Sequence, residues 1–147
     1  MNITLVVIGK LKEKFLVAGC AEYLKRLQKF ARLEVHEIPE CRTLEEEGRK
    51  ILSLVPQNSW LCVLDVSGVE LTSEDFAKKI ADLALGGVSN LTFAIGGAFG
   101  LSDELRRAAD FRLSLSQMTL THQMARLVLV EQIYRAFKIN RHEPYHW

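Results

Sequence analysis

The segment Phe93-Ala94-Ile95-Gly96-Gly97-Ala98-Phe99-Gly100 joins a short apolar run to a glycine-rich turn. Such a run reads as a buried strand, and glycines at its end leave no side chains to hold a ligand off the main chain. Leu101 to Ala109 follows as a short helix with Ser102, Asp103 and Glu104 at its start. Strand, open turn and helix in that order are the layout of a cofactor site. The spacing Gly-Gly-x-x-Gly differs from the dinucleotide fingerprint, and the next apolar run, Phe111 to Leu115, does not end on an acid. No Lys-Ser or Lys-Thr pair follows the glycines, which argues against a P-loop. A turn that merely links a strand to a helix fits the same residues.

A second segment, Leu113 to Gln123, reads as a strand that ends in a polar turn and restarts as a helix at Thr121 or His122. Neighbouring strand ends of a parallel sheet share one rim, so this loop and the glycine turn can close over one ligand held by backbone amides and carbonyls. A helix-capping role for Thr119 or Thr121 competes with that reading. His122 is either a ligand or base, or a hydrogen-bonded structural residue of the first helical turn. The tail Arg141-His142-Glu143-Pro144-Tyr145-His146-Trp147 is polar, aromatic and basic, as suits gripping a nucleotide, although a frayed terminus has the same composition. His142 and His146 have a spacing seen in zinc sites, but no cysteine pair or carboxylate cluster accompanies them, and no metal is expected. No Gly-x-Ser-x-Gly elbow is present for a serine hydrolase.

These segments need a scaffold. Apolar runs of strand length recur at Ile3–Ile8, Leu33–Ile38, Trp60–Val66, Leu91–Ile95 and Phe111–Leu115. Helical spacing separates them over Lys14–Phe30, Leu44–Leu54, Ser73–Leu85, Ser102–Ala109 and His122–Asn140, with Thr72 and Asp75 spaced as a capping box. The alternation predicts an α/β fold, a mostly parallel sheet with helices on both faces. With 147 residues, 48% of them hydrophobic, and neither repeat nor linker, one domain over residues 1–147 is expected. The last helix spreads apolar residues from Met124 to Phe137 over more than one face. One face can meet the sheet, and self-association is the economical use for the other.

The formal net charge of +1 decides nothing about a polyanionic partner, because such a partner needs only a local basic patch. Lys10, Lys12, Lys14, Lys25, Arg26, Lys29 and Arg32 are concentrated in one stretch, which is either a solvated helix face or a local basic surface. Three widely spaced cysteines, Cys20, Cys41 and Cys62, fit buried free thiols in a reducing compartment. Met1 to Ile8 is too short for a signal peptide or a membrane span, so a cytoplasmic location without membrane attachment is expected.

Taken together, Val7-Ile8-Gly9-Lys10, Glu22-Tyr23-Leu24-Lys25-Arg26, Ile95-Gly96-Gly97-Ala98-Phe99-Gly100-Leu101, Leu113-Ser114-Leu115-Ser116-Gln117-Met118-Thr119, His122-Gln123, Val130-Glu131-Gln132-Ile133-Tyr134-Arg135-Ala136 and Tyr145-His146 resemble the RlmH family. Its members are SPOUT-class methyltransferases that use S-adenosylmethionine to methylate N3 of a pseudouridine in helix 69 of 23S ribosomal RNA. The resemblance spans essentially the whole chain. It implies a C-terminal trefoil knot, which no periodicity or spacing here suggests, and a homodimer. Matched position by position, Leu64, Gly96, Leu115, Ser116, Gln117, Met118, Thr119 and Leu120 fall in the family's cofactor-contacting segments. Thr121 stands where proline is usual, and Trp147 ends the chain where a lysine or arginine is usual.

Methyl transfer to N3 requires the imino proton to leave, so a base or a positive charge that favours the anion is needed. His146, Tyr145 and Arg135 are the candidates, with Glu131 placed to orient Arg135 four residues along one helix. Two alternatives stand beside this reading. One is a non-catalytic ribosome-binding protein of the same fold, and the other is a SPOUT methyltransferase acting on transfer RNA.

Overall fold

The computed structural model describes Met1 to Tyr145; His146 and Trp147 lie outside the described residues. Ten elements alternate along the chain: β1 (Asn2–Ile8), α1 (Lys14–Leu27), β2 (Arg32–Ile38), α2 (Leu44–Ser53), β3 (Trp60–Glu70), α3 (Ser73–Leu85), β4 (Asn90–Ile95), α4 (Asp103–Ala108), β5 (Phe111–Ser114) and α5 (His122–Asn140). The strands form one sheet in the order β2-β1-β4-β3-β5, and every pairing is parallel. The α/β class and the alternation expected from the apolar runs are therefore as observed.

Burial on both faces explains why the central strands β1 and β4 read as continuous apolar runs, whereas the edge strand β2 is mostly exposed and carries charged residues between its apolar ones. On one face Ile3, Leu5 and Val7 of β1 join Phe93 and the buried sides of α1, α3 and α5. On the other, Val6 and Ile8 join Ile51 of α2 and Leu105 of α4. Side chains of one strand alternate between faces, so β1 supplies both cores. Cys20 and Cys62 are buried and Cys41 is half-buried, all three free, and burial pushes the Cys62 thiol up to about 12.

Local chemistry sets the helix starts. Thr43, Thr72 and Ser102, in extended backbone, and Thr121 each precede a helix and accept a hydrogen bond from the amide three residues on. Helix α1 ends at Leu27, and residues 28–30 form a turn that closes it.

Helix α5 departs from expectation. It lies against α1, α3 and β4, and every one of its 19 residues is buried or half-buried. Gly19 allows the close approach of α1, since a Cβ there would sit 3.0 Å from Leu127 Cδ1. Much of the second apolar face thus meets neighbouring helices of the same chain rather than requiring a partner.

Strand β3 also runs further than the sequence suggested. Leu113 of β5 pairs with both Leu64 and Val69, so residues 65–68 form a bulge within β3. Gly68 permits it: a Cβ there would lie 2.5 Å from the carbonyl oxygen of Arg112. Ser67-Gly68 reads in sequence as a strand end, which is why the extension was not anticipated.

Candidate active site

The cavity lies where the carboxyl ends of the parallel strands meet, the rim at which open α/β sheets bind ligands. It has a volume of about 720 Å³ and is walled by the segment after β4 and the loop between β5 and α5. Because β3 separates β4 from β5 in the sheet, Leu64 of β3 is exposed to the cavity between those two loops. Glu13, the N-cap of α1, and Leu16 in its first turn close another side.

The glycine turn is held by its own backbone. Gly100 N–H donates to the Gly97 carbonyl at 3.2 Å, and Gly100 takes φ +93°, a left-handed conformation that favours glycine. A Cβ on Gly96 would meet the Gly100 carbonyl oxygen at 2.5 Å and Leu101 Cδ2 at 2.9 Å. Gly96 is therefore required by the turn folding onto itself, in addition to leaving main chain open towards the cavity.

The second loop is organised by serine and threonine. Ser114 Oγ donates to the Ser116 carbonyl at 3.1 Å, Ser116 Oγ accepts from Met118 N–H at 3.0 Å, and Thr121 Oγ1 accepts from Met124 N–H at 3.1 Å. Thr121 is the cap of α5 and has φ −59°, close to the angle a proline ring imposes. The threonine thus keeps the backbone that a proline would fix, and its hydroxyl adds a cap. His122 turns towards Gly9, whose hypothetical Cβ would lie 3.6 Å from His122 Nε2, and Gln123 Oε1 accepts from Lys12 N–H at 3.0 Å. The first turn of α5 is in this way tied to the β1–α1 loop.

Of the residues expected at a cofactor, Leu64, Gly96, Leu115 and Ser116 line this cavity, as do Met118, Thr119 and Leu120. Gln117, within the same loop, is not among the lining residues. The sequence reading missed Glu13, Leu16, Asp65 and Arg106. Gly9 after an apolar run signalled another strand end on the same rim, and that would have pointed to Glu13. Nothing in sequence pointed to Asp65, whose role comes from the bulge.

Asp65 is the buried charge of the site, with its side chain only 5% exposed. Its Oδ1 accepts from the amide and hydroxyl of Ser67 at 3.0 and 2.8 Å, and its Oδ2 accepts from Arg106 Nε at 3.1 Å and Arg112 Nη1 at 3.3 Å. Burial alone would raise its pKa. The Ser67 and Arg106 hydrogen bonds outweigh that and hold the carboxyl below its ordinary range.

The other expected group gathers on the far half of α5. Glu131 accepts from Arg135 and also from the Tyr145 hydroxyl at 2.9 Å, while the Tyr23 hydroxyl lies 3.2 Å from that of Tyr145. A phenol has one proton, so Tyr145 shares it between two acceptors, the Glu131 carboxylate at the shorter distance and the Tyr23 hydroxyl oxygen. Burial first, and then these hydrogen bonds, push the Tyr145 phenol well above the usual tyrosine range. Tyr145 is a neutral donor here, unsuited in this arrangement to take up a proton. Thirteen positions separate His122 from Arg135, about 20 Å of helix, so within one chain Arg135 and Tyr145 stand apart from the cavity. His146, the third candidate, lies outside the described residues.

A protein-family profile described as "Predicted SPOUT methyltransferase" matches residues 1–146. The chain belongs to the SPOUT methyltransferase family. Proteins called "Ribosomal RNA large subunit methyltransferase H" are similar to this SPOUT chain over 99% of both lengths. That of Clostridioides difficile (strain 630) is 49% identical, that of Halothermothrix orenii 47% and that of Enterococcus faecalis 45%. Among the described residues no three histidine, cysteine, aspartate or glutamate side chains gather to hold a metal ion, and no helix is long and apolar enough to cross a membrane.

Proposed function

We propose that this chain is an S-adenosylmethionine-dependent methyltransferase that modifies N3 of a pseudouridine in helix 69 of 23S ribosomal RNA, acting in the cytoplasm as a homodimer with a C-terminal knot. The observation that carries this reading is the cavity at the strand ends, bounded by the glycine turn and the Leu115–Leu120 loop, in a SPOUT chain whose full-length relatives are named for ribosomal RNA methylation.

The cavity suits the methyl donor. Its volume of about 720 Å³ is in the range of small-molecule sites, and its walls combine apolar side chains with main chain at Gly96, Gly97 and Gly100. Leu64, Leu115 and Leu120 would hold the adenosine portion, with the main chain of the two loops giving it direction. The donor supplies an activated methyl group. The protein's tasks are then to exclude water, to orient the acceptor and to favour loss of the imino proton. Arg135, kept charged by Glu131, stabilises the anion that N3 becomes. Tyr145 fixes Glu131 and so orients Arg135 as a hydrogen-bond donor. His146 is the group proposed to accept the proton.

The separation of about 20 Å along α5 gives the homodimer a chemical purpose. A second copy would bring its Arg135 and Tyr145 to the cavity of the first. Exposed apolar side chains on segments that border the mouth, Phe99, Met118 and Val66, fit an interface there.

The test is mass mapping of methylated nucleotides after incubation with assembled ribosomes, free ribosomal RNA and transfer RNA. Methyl incorporation at pseudouridine N3 of helix 69 supports the reading. Incorporation into transfer RNA alone, or none, overturns it.

A further inference from the structure

A second cleft, of about 300 Å³, lies between the carboxyl-terminal halves of α1 and α5 and is lined by Arg26, Lys29, Phe30, Tyr134, Lys138 and Arg141, with Glu143 at its edge. Four cations converge on one hollow, Arg26 and Lys138 from the two helices and Lys29 and Arg141 from the segments that follow them. Complementing helix dipoles accounts for basic residues in the last turns, but it does not require those of two helices to face each other across aromatic rings.

The rings hold the cations in place. Arg26 stacks over Tyr23 at 5.1 Å and over Tyr134 at 5.6 Å, Lys138 lies over Tyr134 at 6.0 Å, and Arg141 lies over Phe30 at 5.2 Å. Phe30 is itself stacked on Phe137, with planes 3° apart. Guanidinium groups fixed this way lose little freedom when they bind an anion. Glu143 is the one carboxylate lining the cleft, while Glu22, one turn back on α1, accepts from Arg26 Nε at 2.9 Å. His142, at φ +55°, ends α5 in a left-handed turn, with His142 N–H donating to the Ile139 carbonyl and Glu143 N–H to that of Lys138. Glu143 is thereby turned back to accept from Lys138 Nζ at 2.6 Å and Arg141 Nε at 2.8 Å. It occupies the position an external anion would take between the same two cations.

Tyr134 joins this cleft to the group expected to act on the nucleotide, since its ring meets that of Tyr145 edge-on at 4.9 Å. We propose that the cleft is an RNA-binding subsite: Arg26, Lys29, Lys138 and Arg141 hold a backbone phosphate neighbouring the nucleotide that faces Tyr145 and Arg135. A phosphate draws Lys138 and Arg141 away from Glu143, which acts as an internal competitor. This inference rests on the ribosomal RNA reading above and assigns how that RNA is gripped.

Fluorescence anisotropy with a labelled helix 69 RNA hairpin, titrated across potassium chloride concentrations, tests it. The Lys29→Ala/Arg141→Ala double variant is expected to reduce the slope of log affinity against log salt by up to about 0.7 to 0.9, the value for one phosphate, and each single variant by a part of that. Glu143→Gln is expected to tighten binding several-fold, which loss of a merely structural ion pair would not do. Lys50→Ala, on α2 at the opposite sheet face, should leave the slope as it is. An unchanged slope in the Lys29→Ala/Arg141→Ala double variant overturns the proposal, and so does a wild-type protein that does not bind the hairpin. Should the double variant melt early, Lys29→Gln alone decides, because the Lys29 side chain is in no ion pair or hydrogen bond among the described residues. Hairpin binding through the cleft without methylated pseudouridine in the mass map leaves the subsite standing and removes the assigned reaction. Methylation with an unmoved slope removes the subsite alone.

Discussion

Arg106 Nε of α4 lies 3.1 Å from Asp65 Oδ2 in the β3 bulge, and both residues line the cavity. The contact joins the helix that follows the glycine turn to the strand that separates the two cavity-lining loops. Removing Arg106 leaves Asp65 with Arg112 and Ser67, so Arg106→Ala should cost about 1 kcal/mol of stability. Removing Asp65 leaves Arg106 only Asp103 at 3.6 Å and frees the bulge from its Ser67 and arginine bonds, so Asp65→Ala should cost about 1 to 3 kcal/mol. Urea denaturation measures both. Calorimetry with S-adenosylmethionine should find the affinity loss larger for Asp65→Ala.

The same carboxylate sets an acid dependence. Its folded pKa lies below the unfolded value, so its contribution is fully present above about pH 4 and is lost as pH falls through the folded value. Asp65→Asn should therefore be less stable than wild type at neutral pH, and the gap should narrow below about pH 4. Denaturant midpoints at neutral and acid pH check the sign. A gap that widens with acid would show that Asp65 is not ionised in the fold.

Most of the scaffold was legible because both sheet faces are covered. Runs such as Val6-Val7-Ile8 and Phe93-Ala94-Ile95 must then be apolar throughout, and between them the helical segments and their Ser or Thr caps stand out. The two loops of the cavity were legible for a related reason, since glycines and short polar residues mark where parallel strands end. Long-range geometry was not. That Leu113 would pair with both Leu64 and Val69 depends on Asp65 meeting arginines 41 and 47 residues away, which no local pattern encodes. The environment of α5 was equally hidden, because an all-round apolar helix reads the same whether α1 and α3 or a second chain covers it.

Gly96 and Gly100 separate two reasons for a glycine. Gly96→Val puts a branched side chain into the Gly100 carbonyl and Leu101, so the turn must open and S-adenosylmethionine binding should be lost while the core still melts cooperatively. Gly100→Ala meets no atom within 4 Å but keeps φ +93°, and should cost about 1 to 2 kcal/mol of local strain with weakened binding. Calorimetry and thermal melting of the two variants would distinguish them. Wild-type affinity in a folded Gly96→Val protein would move the donor site elsewhere.

Assembly should be sensitive to the surface and not to the interior of α5. Leu129 has 0% exposure within one chain, so Leu129→Glu is expected to unfold the protomer rather than merely divide a dimer. Met118 and Phe99 are 79% and 87% exposed, and Met118→Glu with Phe99→Glu should lower the mass in sedimentation equilibrium while leaving the circular dichroism spectrum intact. A monomeric wild type at micromolar concentration would remove the homodimer from the proposed function.

Complementation tests whether the two halves of the site come from different chains. Gly96→Val should disable the cavity of its own chain, and Arg135→Ala removes the charge proposed to serve the cavity of a second copy. Each homodimer should be inactive. If Arg135 serves the cavity of the other subunit, a mixed dimer places both defects in one of its two sites and leaves the other site fully wild type. After random exchange half of the dimers are mixed, so the mixture should recover about one quarter of wild-type turnover. If Arg135 instead served its own chain, every site in the mixed dimer would carry one defect and no activity would return. Tyr145→Phe offers a graded companion. It removes the 2.9 Å hydrogen bond to Glu131 but keeps the ring against Tyr134, so kcat should fall while S-adenosylmethionine affinity is retained.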